Sequence, residues 1–137
     1  MPNFVKTKLD GLMIIEPSVF TDDRGFFMET YSEKVFAENG INVKFIQDNH
    51  SQSTKGVFRG LHFQKPPYAQ DKLVRCTRGE VLDIVVDIRK DSPTFGQHES
   101  ILISEENKKM VFIPKGFAHS FVVFRDVADL QYCCSNF

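Results

Sequence analysis

Side chains able to move protons or hold anions gather in a few short segments of this chain. Val57-Phe58-Arg59-Gly60-Leu61-His62-Phe63-Gln64 sets a guanidinium and an imidazole in a run that reads as a strand. An imidazole titrates near neutral pH and so can take or give a proton, whereas a guanidinium is a fixed cation that grips anions through paired N–H groups. Strict alternation sends Arg59 and His62 to opposite faces, but Gly60 between them permits a bulge that turns both into one pocket. A lone strand histidine is commonly structural. Pro114-Lys115-Gly116-Phe117-Ala118-His119 adds a second histidine at a strand start, after a turn set by Pro and Gly.

The clearest strand covers residues 81–88. Leu82, Ile84, Val86 and Ile88 share one face, while Val81, Asp83, Val85 and Asp87 share the other. Two acids on a β-branched face have two readings: the face is solvated, or it lines a polar cavity inside a barrel.

The elements that must position these groups are short. Apolar runs at 11–15, 43–46, 57–63, 72–76, 79–88, 100–103, 110–113, 119–124 and 129–132 are cut by turn signals such as Glu16-Pro17, Lys65-Pro66-Pro67, Arg78-Gly79 and Asp91-Ser92-Pro93. This spacing predicts an all-β fold, an antiparallel sandwich or barrel. One helix is expected over 32–39, with Ser32 as N-cap, Val35 and Phe36 as its apolar face and Asn39-Gly40 as its stop.

The 137 residues suit one domain, 1–137, and 42% hydrophobic with 26% charged residues implies a packed core. Seventeen basic against 18 acidic residues leave no broad positive field, so neither nucleic acid nor an anionic membrane is the expected partner. Fourteen Phe without a Trp read as core filling. Cys76 stands alone and Cys133 adjoins Cys134, which is neither a disulfide framework nor a zinc spacing. With no apolar leader at Met1-Pro2-Asn3-Phe4, a reducing, cytoplasmic compartment is expected.

Gly60-x-His62-x-Gln64 with Lys72 and Gly79-Glu80, then Pro114-x-Gly116-x-x-His119, resemble the two motifs of cupins. Metal-binding cupins offer two histidines and a carboxylate in the first motif. Here Gln64 replaces the second histidine and Lys72 falls where a carboxylate would help. An amide is a poor ligand and an ammonium repels a divalent ion, so no catalytic metal and no cofactor are expected.

One family fits the detail. Phe20-x-Asp22-Asp23-Arg24-Gly25-x-Phe27-x-Glu29, Gln47-Asp48-Asn49, Arg59-Gly60-Leu61-His62-Phe63-Gln64, Gly79-Glu80-Val81-x-Asp83-x-x-Val86-Asp87-x-Arg89, Ser92-Pro93-Thr94-Phe95-Gly96 and Pro114-x-Gly116-Phe117-Ala118-His119 together resemble dTDP-4-dehydrorhamnose 3,5-epimerases. The likeness runs from about Lys6 to the last residue and implies a cupin-type jelly roll. It also implies epimerisation of dTDP-4-dehydro-6-deoxyglucose at C3 and C5 in dTDP-L-rhamnose or related deoxysugar synthesis.

Inverting a carbon beside a ketone needs a base, an electrophile for the enolate and an acid on the far side. The resemblance assigns His62 as base, Lys72 to the enolate oxygen, Tyr132 as acid and Asp83 beside the base. It assigns Arg59, Gln47 and Asn49 to diphosphate and sugar, and His119 to the sugar side. Arg24 and Glu29, with Phe26 nearby, are presented to a neighbouring subunit's pocket. A homodimer with shared sites, contacted through residues 1–30, is therefore implied. Relatives continue past the strand that ends here in Gln131-Tyr132-Cys133-Cys134. The chain is thus expected to lack the segment whose aspartate pairs with the catalytic histidine. Two alternatives stay open, a truncated nucleotide-sugar-binding cupin and a single-centre epimerase or ketoisomerase.

Overall fold

The computed structural model describes residues 1–62 and 69–136, with backbone alone for 58–62. The chain runs β1 (Asn3–Lys6), β2 (Met13–Glu16), β3 (Val19–Asp22), β4 (Gly25–Met28), α1 (Glu33–Glu38), β5 (Gln47–Thr54) and β6 (Phe58–His62). It continues through β7 (Lys72–Arg78), β8 (Glu80–Asp87), β9 (His98–Ser104), β10 (Met110–Ile113), β11 (Phe117–Val123) and β12 (Val127–Cys134). Six strands form one sheet in the order β1-β2-β10-β7-β12-β5, four form a second in the order β6-β11-β8-β9, and β3 pairs with β4 alone. Every strand pair is antiparallel. This is the jelly-roll sandwich of the cupin type.

The main core lies between the two larger sheets. Val74, Cys76, Val111, Ile113 and Leu130 from one meet Val81, Val85, Ile101, Ile103, Phe117 and Val123 from the other. Burying such side chains stabilises each by roughly 1.5–3 kcal/mol. The buried face of β8 is the one that carries Val81, Asp83, Val85 and Asp87. The solvated reading of that face is thereby corrected: Asp83 is 1% and Asp87 0% exposed.

Asp87 tolerates burial because it is saturated with donors. It accepts from the Arg89 N–H (3.0 Å), Nε (3.0 Å) and Nη2 (3.1 Å), and from the hydroxyls of Ser92 (2.6 Å) and Thr94 (2.5 Å). The Arg89 guanidinium in turn stacks 4.5 Å from the Phe117 ring centroid. This cluster pins the loop after β8 onto β11. At the β7–β8 turn Gly79 takes φ +82°, and a Cβ there would lie 2.2 Å from the Val127 carbonyl oxygen. Only glycine fits.

A smaller core covers the outer face of the six-stranded sheet. Phe36 of α1 packs there with Ile15, Leu73, Met110 and Phe112, edge-on to Phe4 and Tyr31. Ser32 caps α1 by accepting the Val35 N–H, as its sequence requires. The run 43–46 is not a strand; Val43 and Phe45 pack against this outer cluster instead. Among the described residues no helix is long and apolar enough to cross a membrane.

Candidate functional site

Two strand ends bring the chemistry together. Lys72 is the first residue of β7, level with Ile113 of β10 and Cys134 of β12. Counting in twos along the ladders, Lys72, Cys134, Tyr132, Asn49 and Gln47 share the inner side of the six-stranded sheet. Tyr132 packs against the main core there. On the facing sheet His119 lies opposite Val85, and Phe121 opposite Asp83, so His119 and Asp83 share a side.

The two sheets meet through an ordered chain of polar atoms. Asp83 Oδ1 stands 3.4 Å from His119 Nδ1, and His119 Nε2 stands 3.4 Å from Lys72 Nζ. Asp83 is nearly sealed and the His119 side chain is 12% exposed. A carboxylate at Nδ1 places the ring proton on that nitrogen and leaves Nε2 as an acceptor for the ammonium. Burial lowers the Lys72 pKa below the ordinary lysine value, while Cys134 and Asp83 pull the other way. Lys72 Nζ also lies 5.8 Å from the Tyr132 ring centroid. The arrangement presents a partly desolvated cation beside a phenol, the pairing that suits stabilising and then protonating an enolate.

Cys134 and the partnership of Asp83 with His119 rather than with another group were not visible in the sequence. Asn49 Nδ2 reaches both Gln47 Oε1 (3.3 Å) and Cys134 Sγ (3.7 Å). Burial pushes the Cys134 thiol up and the neighbouring Cys133 thiol up to about 12. Both are neutral packing groups at physiological pH.

Arg59 and His62 have side chains outside the described residues, and Gln64 lies outside them altogether. The backbone of β6 is informative nonetheless. His62 pairs with His119 and Arg59 with Phe121, so Gly60 and Leu61 together oppose the single residue Ser120. That two-against-one count is the bulge that Gly60 permits. It sets two positions of opposite parity against two β11 residues of equal parity.

The β3–β4 hairpin stands apart from these groups. Arg24 is 90% exposed and bonded to Asp22 through Nε (3.2 Å) and Nη2 (2.6 Å). Glu29 is exposed as well. Phe26 carries Lys108 Nζ 4.2 Å over its ring. Among the described residues no hydrogen bond or ion pair joins the hairpin to Lys72, His119, Asp83 or Tyr132. A cavity of ≈ 340 Å³ opens on the other face of the six-stranded sheet, near Tyr31, Asp48, Arg75 and Cys133. Asn49 and Tyr132 also contribute to its lining. Among the described residues no three His, Cys, Asp or Glu side chains converge as metal ligands.

Known proteins carry the same frame. A family model described as dTDP-4-dehydrorhamnose 3,5-epimerase matches residues 6–137. A dTDP-4-dehydrorhamnose 3,5-epimerase of Shigella flexneri is 57% identical over 136 residues, 98% of this chain and 75% of the relative. The crystal structure of dTDP-6-deoxy-D-glucose-3,5-epimerase from Legionella pneumophila Philadelphia 1, in complex with dTDP-4-keto-L-rhamnose, superposes with TM-score 0.96 at 48% identity. It is matched over 100% of this chain and 73% of that one. The Bacillus anthracis epimerase with TDP and PPi bound gives TM-score 0.97 at 40% identity, over 100% and 79%. With a family model matching residues 6–137, 57% identity to a curated relative and a TM-score of 0.96 to a solved structure, the chain belongs to the dTDP-4-dehydrorhamnose 3,5-epimerase family of isomerases.

Proposed function

We propose that this chain epimerises dTDP-4-dehydro-6-deoxyglucose at C3 and C5, giving the isomeric 4-keto sugar as a step in dTDP-L-rhamnose or related deoxysugar synthesis for cell-surface polysaccharide. A base removes the proton from the carbon beside the ketone, and the electron pair moves onto the ketone oxygen. An acid then protonates the opposite face of that carbon as the ketone re-forms, and the sequence repeats at the second carbon.

The observation that carries this reading is the Asp83–His119–Lys72 chain, with both links at 3.4 Å. Lys72 is the electrophile at the enolate oxygen, aimed by the bare Nε2 of His119, whose tautomer Asp83 sets. In a desolvated site such a preplaced cation stabilises developing negative charge far better than water does. Tyr132 is the acid, on the same six-stranded sheet as Lys72 and opposite the sheet that holds β6. His62 is the base, a role supported by the family motif and by its pairing with His119 across the β6 bulge. Gln47, Asn49 and Arg59 hold sugar and diphosphate.

Arg24, Phe26 and Glu29 act on a partner's site in a homodimer, and residues 1–30 form much of that contact within a single domain, 1–137. The support is the exposure of Phe20 (66%), Phe26 (58%) and Phe27 (70%) on one hairpin. Apolar surface of that kind marks an interface. The compartment is the cytoplasm, in keeping with three free cysteines.

The test is solvent deuterium. Incubated in D2O with dTDP-4-dehydro-6-deoxyglucose, the chain should place deuterium at both C3 and C5. Label at one carbon would indicate a single-centre epimerase, and none despite nucleotide binding would indicate a binding domain.

A further inference from the structure

We propose that Asp71 is a positioning residue that holds Lys72, His119 and the Tyr132 strand in register, a role that rests on the epimerase reading above. Lys72 occupies the last rung of β7 on both sides, against Ile113 and Cys134. Strand ends are where backbone pairing opens most readily, so a cation placed there needs a further restraint. Asp71 supplies it. One carboxylate oxygen accepts the Lys115 N–H at 2.9 Å, and the other accepts the Ser135 hydroxyl at 3.0 Å. The Asp71 N–H donates to Ser135 Oγ at 2.8 Å, and the Ser135 N–H donates to the Asp71 carbonyl at 3.1 Å.

Those three residues sit on the three segments that deliver the chemistry. Asp71 immediately precedes Lys72, Lys115 begins the turn that leads into β11 and His119, and Ser135 immediately follows β12, which carries Tyr132. Gln70 Nε2 adds a bond to the Asn136 carbonyl at 2.7 Å. Asp71 itself is mostly buried, its side chain 14% exposed. Among the described residues it has no hydrogen bond to Lys72, His119, Asp83 or Tyr132 side chains, so its effect reaches them through the backbone. A displacement of about 1 Å in a catalytic group can cost roughly 100-fold in rate.

The two variants that separate this role from plain stability are Asp71→Ala and Asp71→Asn. Asparagine keeps the latch: its oxygen accepts the Lys115 N–H and its amide donates to Ser135 Oγ, which has two lone pairs. Alanine removes it. In steady-state assays of the full chain, Asp71→Ala should lower kcat by about 10- to 100-fold with KM within about threefold. Asp71→Asn should stay within about threefold of the parent in both constants. Amide hydrogen exchange should quicken at Lys72 and Cys134 in Asp71→Ala and remain slow in Asp71→Asn. The proposal is overturned if Asp71→Ala keeps its kcat, or if Asp71→Asn is as impaired as Asp71→Ala. Should the parent chain turn over no substrate, the epimerase reading fails on its own, and exchange still decides the latch: unchanged protection at Lys72 and Cys134 in Asp71→Ala overturns it.

Discussion

Lys72 and His119 come from different sheets, yet Nζ and Nε2 stand 3.4 Å apart with Asp83 behind the imidazole. A cation and a histidine tolerate each other at this range only when the facing ring nitrogen carries a lone pair, which the carboxylate on Nδ1 secures. Replacing Asp83 by Asn removes the charge that selects this tautomer. The Nε2–H form then becomes available and points a proton at the ammonium. Asp83→Asn should reduce kcat by about 10- to 100-fold with a smaller change in KM, as expected for a misaimed electrophile. Ring-nitrogen NMR of His119 should show Nδ1–H in the parent and a growing Nε2–H population in the variant.

The pH profile follows from the burial of Lys72. Its pKa is lowered, so the ammonium is lost earlier than at an exposed lysine as pH rises. If the protonated form is the working electrophile, turnover should fall on the alkaline side at a pH below about 10.4. The linked stability has the opposite sign. The unfolded chain binds that proton more tightly, so folding gains from this group as pH rises between the folded and unfolded values. Rate–pH curves for the parent and for Lys72→Arg test this, because a guanidinium stays charged and should remove the limb even at low residual activity.

A separate prediction concerns stability alone. The Arg89 guanidinium beside Asp87 holds its carboxyl well below the usual carboxylate range, helped by the Ser92 and Thr94 hydroxyls and opposed by burial. A depressed folded pKa contributes stability that is complete above about pH 3.9 and is lost as pH falls toward the folded value. Asp87→Asn removes the charge from a pair whose Arg89 side chain is one-third exposed, and should cost about 1–3 kcal/mol at neutral pH in chemical denaturation. The difference between variant and parent should shrink only in strong acid.

Much of the fold was legible because its signals were local. The alternation of residues 81–88, the Pro and Gly turns and the Ser32 cap each report one element, and each element formed. What escaped were elements whose residues answer to distant partners. The β5 sequence, Gln47-Asp48-Asn49-His50-Ser51-Gln52-Ser53-Thr54, is polar on both faces, so it has no alternation to read. It is a strand because β12 pairs with all of it; Gln47 and Asn49 on its inner side face the site, while Ser51 and Ser53 pair with Leu130 and Ala128 of the core. In the same way Asp83 and Asp87 share a face, yet one joins His119 and the other closes a loop with Arg89. Only the register of β11 and the course of the following loop tell them apart.

Arg24 tests the shared-site reading. Its ion pair with Asp22 is at the surface, where such pairs contribute little. Arg24→Ala should therefore leave the melting temperature nearly unchanged while weakening dTDP binding measured by calorimetry. Phe20→Ser combined with Phe27→Ser should lower the dimer mass seen by light scattering. A chain that is monomeric with full nucleotide affinity would contradict the shared site.

Proton abstraction by His62 is read out by solvent deuterium uptake in His62→Asn. The amide can hydrogen-bond but cannot accept a carbon-bound proton at neutral pH. Deuterium entry at C3 and C5 should fall by roughly 10²–10⁴-fold, with dTDP affinity and melting temperature close to the parent. Deuterium uptake at the parent rate in His62→Asn would contradict it.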